Sequence, residues 1–193
     1  MKKSLGPKAL LYPTPVLVIG SYDKDGRANA MTASWGGICC SQPPCVAVSL
    51  RKVTYSYGNV IQRRAFTVNI PSREYMAQAD YFGMASGKTV DKFRTTGLTP
   101  VRAEKVDAPY ILEFPFILEC EVLHVVEIGL HTQFIGEVKD LKAEDSTLGK
   151  LGIPEVDKVQ PFFFIPESRD YYGVGAFLGK AFSPGKEIGK DKK

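Results

Sequence analysis

Short apolar bursts separated by turn-forming residues recur along this chain, a pattern of strands rather than long helices. Residues 16–21 (VLVIGS) read as a strand. Asp23-Lys24-Asp25-Gly26 follows as a turn closing on glycine, and 29–34 reads as the returning strand of a hairpin. Residues 45–50 form an apolar run behind Pro43-Pro44, and Ala65–Ile70 another, stopped by Pro71. Phe116–Ile128 predicts a long strand. Phe116, Leu118, Cys120, Val122, His124 and Val126 share one face of it, and Glu119, Glu121 and Glu127 the other. Residues 132–141 are its predicted antiparallel partner, across Gly129-Leu130-His131. Residues 161–166 are the last apolar strand, followed by Tyr171-Tyr172-Gly173.

Helical spacing shows in two places. Tyr57, Val60 and Ile61 predict a helix over 54–64, with Ser56 near its start. Ser72 as cap and Glu74 in the first turn predict another over 73–82, ending at Gly83. Residues 86–94 read as a polar loop. Hairpin-joined strands broken by two short helices predict a mainly β, antiparallel architecture whose closure into a barrel removes exposed edges. No repeat or linker divides the chain, so 1–193 is expected to form one domain with a solvated basic tail from about 186.

The segment 29–37 (NAMTASWGG) departs from plain strand chemistry. Small residues let a ligand approach backbone N–H groups, and the single tryptophan, Trp35, offers a flat wall. The pair suits a planar, polar, aromatic ligand. Arg51 and Ser56 lie where the strand 45–50 turns into a helix, and Lys92 lies in the polar loop downstream. A helix N-terminus, a hydroxyl and two cations are the parts of a phosphate cradle.

Charge and composition narrow the classes. Lys and Arg number 25 against 21 Asp and Glu, a net charge of +4, with no basic stripe interleaved with aromatics, so nucleic acid is not an expected partner. No apolar run reaches membrane-spanning length and no signal peptide is visible, so no membrane partner and a cytoplasmic location are expected. Cys39, Cys40, Cys45 and Cys120 have neither CxxC nor zinc spacing and are expected to be small buried hydrophobes. His124, on the apolar face, is expected in the core, whereas His131 at the hairpin tip is able to reach a site. Two histidines build no metal centre, and no Ser/His/Asp triad is evident, so no metal is expected. Gly173-Val-Gly175 with Gly179-Lys180 fits neither a dinucleotide fingerprint nor a Walker loop and reads as a turn. Short of side chains for hard chemistry, the chain points to a cofactor that carries it.

Taken in order, Pro15–Gly20, the segment 29–37, 45–50 with Arg51, Thr67-Val-Asn69-Ile70, Val90-Asp-Lys-Phe93 and His131-Thr-Gln-Phe-Ile-Gly-Glu-Val138 resemble the flavin reductase-like, FMN-binding split-barrel family, and within it the flavoredoxins. The resemblance implies a six-stranded Greek-key split barrel, a homodimer, and one FMN per subunit near the interface. It implies that Asn29, Ala33, Ser34 and Trp35 line the flavin and that Arg51, Ser56 and Lys92 hold its phosphate. It brings His131 close to the flavin or an incoming nicotinamide, as the one possible catalytic side chain, and Phe164 near the ring edge. Three uses stay open: reduction of flavin by NADH or NADPH, electron carriage between redox partners, and a non-catalytic anion-binding barrel.

Overall fold

The computed structural model describes residues 1–188. The tail expected to be solvated lies outside the described residues from position 189 on; Lys186 sits in a final 3-10 turn, Pro184–Glu187. In chain order the strands are β1 (Thr14–Pro15), β2 (Leu17–Tyr22), β3 (Ala28–Ala33), β4 (Gly36–Ser41), β5 (Pro44–Arg51), β6 (Ala65–Ile70), β7 (Pro100–Arg102), β8 (Pro109–Ile111), β9 (Phe116–Ile128), β10 (His131–Ala143), β11 (Phe162–Ile165) and β12 (Asp170–Gly173). The helices are α1 (Tyr55–Arg63), α2 (Met76–Met84), α3 (Lys92–Thr96) and α4 (Val156–Val159).

Seven strands form one antiparallel sheet in the order β3-β2-β6-β9-β10-β5-β4. Its two ends are β3 and β4, and only Ser34 and Trp35 separate them in the chain. The sheet is therefore tied shut by its own backbone. Counting β3 and β4 as one strand bent at that seam gives the six expected barrel positions, so the extra strand changes the count and not the class. Closure is reinforced where the Ser49 amide donates to the Trp35 carbonyl at 2.8 Å. Two small sheets lie outside: β1-β11-β12 and β7-β8.

The barrel interior is filled by Leu17, Ile19, Val46, Val48, Leu50, Phe66, Val68, Leu118 and Phe134, with Val60 of α1 packed on them. A second core lies on the outer face, where Val16, Val18 and Ala30 meet Phe82 of α2, Phe93 of α3, Ile111 and Phe162. β2 is thus covered on both faces, which is why its apolar run is unbroken instead of alternating.

Four expectations are corrected. First, β4 is a strand of its own. It pairs only with β5, and as an edge strand it leaves Cys39 and Cys40 exposed, whereas Cys45 and Cys120 are buried as expected. Second, His124 is exposed. The β9–β10 pairing passes from Val122↔Gly136 to His124↔Ile135, so Leu123 is an extra, bulged residue. The bulge reverses the phase of the strand and turns Val125 inward instead. Third, the helix expected over 73–82 begins as a 3-10 turn, Arg73–Tyr75, and continues as α2 through Gly83 to Met84. The Ser72 hydroxyl donates to Glu74 Oε1 and caps no amide. Fourth, Lys92 opens α3 where a loop was expected. Asp91 caps that helix by accepting from the Arg94 amide at 3.1 Å, and Phe93 anchors it edge-on to Phe82.

Candidate functional site

Two cavities flank β3. The first, of about 210 Å³, is lined by Asn29 and Met31 of β3, by 53–56 at the start of α1, by the end of α2, and by Gly87 and Lys92. The second, of about 420 Å³, is lined by Ser34, Trp35 and Gly36 at the seam, by the N-terminal stretch including Lys8 and Leu11, and by Pro166. Asn29 lies near the start of β3, and Ser34 and Trp35 lie at the bend directly after its end.

The first cavity gathers a helix start, a buried hydroxyl and a buried cation. Thr54 is the N-cap of α1: its hydroxyl donates to the Arg51 carbonyl at 2.8 Å and accepts from the Tyr57 amide. The first turn of α1 lines the cavity, which brings the positive end of the helix dipole to it. Ser56 is buried there, its Oγ accepting from Asn29 Nδ2 at 2.8 Å. Lys92 is only 4% exposed. Its Nζ donates to the Phe82 carbonyl at 2.8 Å and lies 6.0 Å from the Phe82 ring centre. Among the described residues it enters no ion pair. Burial lowers this ammonium to about 8. A buried cation with one neutral partner is poorly compensated, and an anion beside it would relieve the cost.

A polar frame fixes the rim. Arg27 donates to the Gly87 carbonyl at 3.1 Å and to Tyr55 Oη at 3.2 Å, and Tyr55 Oη donates to Asp23 Oδ2 at 2.8 Å. Burial works to raise the Asp23 carboxyl, but hydrogen bonds from Tyr55, Arg27 and Asp25 outweigh it and hold it below its ordinary value. Gly87 has no room for a side chain: a Cβ there would collide with Asn29 Oδ1 and meet the Tyr55 ring.

The structure brings together Asn29, Ser56 and Lys92 in the first cavity, and Ser34 and Trp35 in the second. Ala33 packs in the barrel interior, so only its backbone is available to a ligand. Arg51 lies outside both cavities, exposed at the end of β5, and its cross-strand partner is the half-buried His131. Phe164 packs against Tyr171 at the edge of the second core, with Thr14 of the second cavity's lining opposite it. Phe163 faces the other way and stacks on Tyr172. Thr54, Tyr55, Arg27 and Gly87 were not singled out in the sequence. The cap was readable, since Thr54 directly precedes the helical spacing; the Arg27–Gly87 bridge joins distant segments and left no local signal. The run Thr67–Ile70 proves structural: Asn69 Nδ2 donates to the Val18 carbonyl at 2.9 Å, and its Oδ1 accepts from the Ile111 amide at 2.8 Å.

No helix of the described residues is long and apolar enough to cross a membrane. Residues 9–156 match the family described as flavin reductase like domain. Flavoredoxin of Desulfovibrio vulgaris (Miyazaki F) is 56% identical with a TM-score of 0.92, over 96% of this chain and all of that one. Flavoredoxin from Methanosarcina acetivorans is 29% identical with a TM-score of 0.90, over 96% of this chain and 98% of that one. An uncharacterised protein of Aeropyrum pernix is 31% identical over 86% of this chain, a match that spans 64% of the relative. With its split barrel, its paired cavities along β3 and these matches, the chain belongs to the flavin reductase-like domain family and is similar to flavoredoxins.

Proposed function

We propose that the chain is an FMN-dependent redox protein that holds the phosphate between the start of α1, Ser56 and Lys92, and the ring along β3 toward Ser34 and Trp35. The observation that carries this reading is Lys92: a buried ammonium with a single carbonyl partner, beside the N-terminus of a nine-residue helix and a buried hydroxyl. When bound, FMN supplies the hydride or electron transfer. The chain's own residues bind, orient and shield. Lys92 neutralises the phosphate, Ser56 and the amides of α1 orient it, and Arg27 and Tyr55 hold the rim. Trp35 forms a wall for the ring, and the N-terminal stretch from Lys8 to Pro15 covers that side from water. Arg51 and His131, opposed at the end of β5 and β10, are the pair placed to meet an incoming nicotinamide.

The reaction proposed is oxidation of NADH or NADPH with transfer to an acceptor. The likeness to flavoredoxins favours a second use of the same site, as an electron carrier between redox partners. A homodimer is proposed as the working form, because Phe177, Leu178 and Phe182 leave large apolar surface uncovered within one copy. The cytoplasm is the proposed location.

The test has two stages. Titration with FMN and riboflavin should show binding that depends on the phosphate; equal affinity for the two would remove the proposed phosphate site. Anaerobic addition of NADH and of NADPH to the FMN-loaded protein then separates the uses: bleaching over many turnovers identifies a reductase, and an unbleached flavin that is reduced only by a protein partner identifies a carrier. A colourless protein that ignores FMN would leave the non-catalytic barrel.

A further inference from the structure

The two exposed cysteines sit next to a buried one in a defined register. β4 and β5 are joined by a tight turn at Gln42–Pro43, and the first pairs beyond it are Ser41↔Pro44 and Cys40↔Cys45. Directly opposed residues of an antiparallel pair share one face, with Cα atoms about 4.5 or 5.5 Å apart. Both spacings fall within the roughly 4.4–6.8 Å that a disulfide spans. Cys45 is held from both sides, since β5 also pairs with β10 through Cys45↔Glu137. Cys40 lies on the outer edge and is exposed.

The remaining thiols are poorer partners. Cys39 is the extra residue of the bulge between Ile38 and Cys40, so it has no cross-strand partner. It is adjacent to Cys40, and neighbouring Cα atoms are about 3.8 Å apart, too close for an ordinary disulfide. Cys120 is on β9, two strands away from β5 in the sheet order, roughly 10 Å at normal strand spacing. The Cys45 thiol is raised by burial first, then by Cys40 and Cys39 beside it, which fits a protonated resolving thiol behind an accessible one.

We infer that Cys40 and Cys45 form a reversible dithiol–disulfide site that reacts with low-molecular-weight disulfides, Cys40 attacking and Cys45 resolving. The Cys40 thiolate attacks one sulfur of the small disulfide; that S–S bond breaks, one small thiolate leaves, and a mixed disulfide stands on Cys40. Cys45 loses its proton and attacks Cys40 Sγ, expelling the second small thiolate. The protein dithiol is oxidised by two electrons, the small disulfide is reduced to two thiols, and the protons pass from the cysteines to the leaving thiolates. This site is independent of the flavin reading.

The purified protein is incubated with oxidised glutathione without oxygen, its free thiols are alkylated, and the peptide 28–51 is analysed by mass. In Cys39→Ser that peptide keeps only Cys40 and Cys45. It should lose two hydrogens and carry no glutathione, and reduced glutathione should restore it. In Cys45→Ala the glutathione adduct on Cys40, transient in the parent, should become the main product. The inference is overturned if the adduct persists on Cys40 while Cys45 is present, if glutathione settles on Cys39, or if both exposed thiols alkylate fully with no exchange. The Cys39→Ser result decides even if Cys45→Ala does not fold.

Discussion

Asn29 on β3 donates to Ser56 on α1 at 2.8 Å, tying the strand that lines the first cavity and runs on to the seam of the second to the helix whose first turn lines the first. This bond fixes β3 against the start of α1 within the proposed phosphate half of the FMN site. Both side chains are buried, so neither has water as a substitute partner.

Replacing Lys92 by alanine should weaken FMN binding by about 1–3 kcal/mol, the range for a hydrogen bond to a charged group. Riboflavin, which lacks the phosphate, should bind the variant and the parent alike. Parallel fluorescence titrations check both halves; an unchanged FMN affinity would take Lys92 out of the phosphate site.

The same lysine predicts a pH dependence. Free, its ammonium titrates at about 8 because it is buried. A bound anion raises that value, so the complex carries more protons than the free protein above pH 8. FMN affinity should be flat between about 7 and 8, where the phosphate is a dianion, and fall as pH rises beyond, by at most about tenfold per unit. In the unliganded fold the lysine acts oppositely. It is depressed relative to the unfolded chain, so its own contribution to stability grows as pH climbs from about 8 towards the ordinary lysine value near 10.4, while the buried Cys45 and Cys120 thiols, raised by burial, act against it. Lys92→Met should remove the FMN slope in titrations, and in denaturant melts its unliganded fold should lose more stability with rising pH than the parent does.

Gly87→Ala should disturb the site without touching the phosphate cation. Its Cβ would run into Asn29 Oδ1, pushing the amide off Ser56. A loss of about 1–3 kcal/mol in stability, typical of overpacking, should come with weaker FMN binding. Urea melts and titration of the same preparation check whether the two losses appear together.

Trp35 is the only tryptophan, so its emission reports one place. Saturation with FMN should quench it strongly if the ring lies along the seam. Unaltered emission at saturation would move the ring away from Ser34 and Trp35.

Glu119 is wholly buried and accepts from the Lys105 amide at 2.7 Å and the Glu104 amide at 3.3 Å, with Lys142 at 3.4 Å. Glu119→Ala strands two amides and removes one of the three carboxylates around Lys142, the others being Asp140 and Glu104. It should cost about 3 kcal/mol, seen as a lower urea midpoint with an unchanged slope.

Strand boundaries were legible wherever one burst of apolar residues ended at a turn: Ala65–Ile70 and Phe116–Ile128 have the bounds read from the sequence. β4 was not, because Gly36, Gly37 and two cysteines carry no strand alternation and the strand is fixed by pairing with β5. His124 misled for a different reason. A one-residue bulge at Leu123 is invisible in a period of two, yet it reverses every side chain beyond it. In the candidate site, residue types were readable and their grouping was not. Ser56 and Lys92 meet through packing of α1 and α3 against β3, whereas Arg51, nearer to Ser56 in sequence, points its guanidinium to solvent.

The two-residue seam also bears on how the chain folds. β3 and β4 leave Ser34 and Trp35 in opposite directions around the barrel, and β5 is bound to the rest of the sheet only through β10, which is made far later in the chain. Such distant pairing is slow to form. The indole of Trp35 should therefore be among the last groups to reach its native signal in a refolding experiment, well after the local β2–β3 hairpin. A flavin that waits for that wall would then bind only finished barrels, and would report on folding to completion.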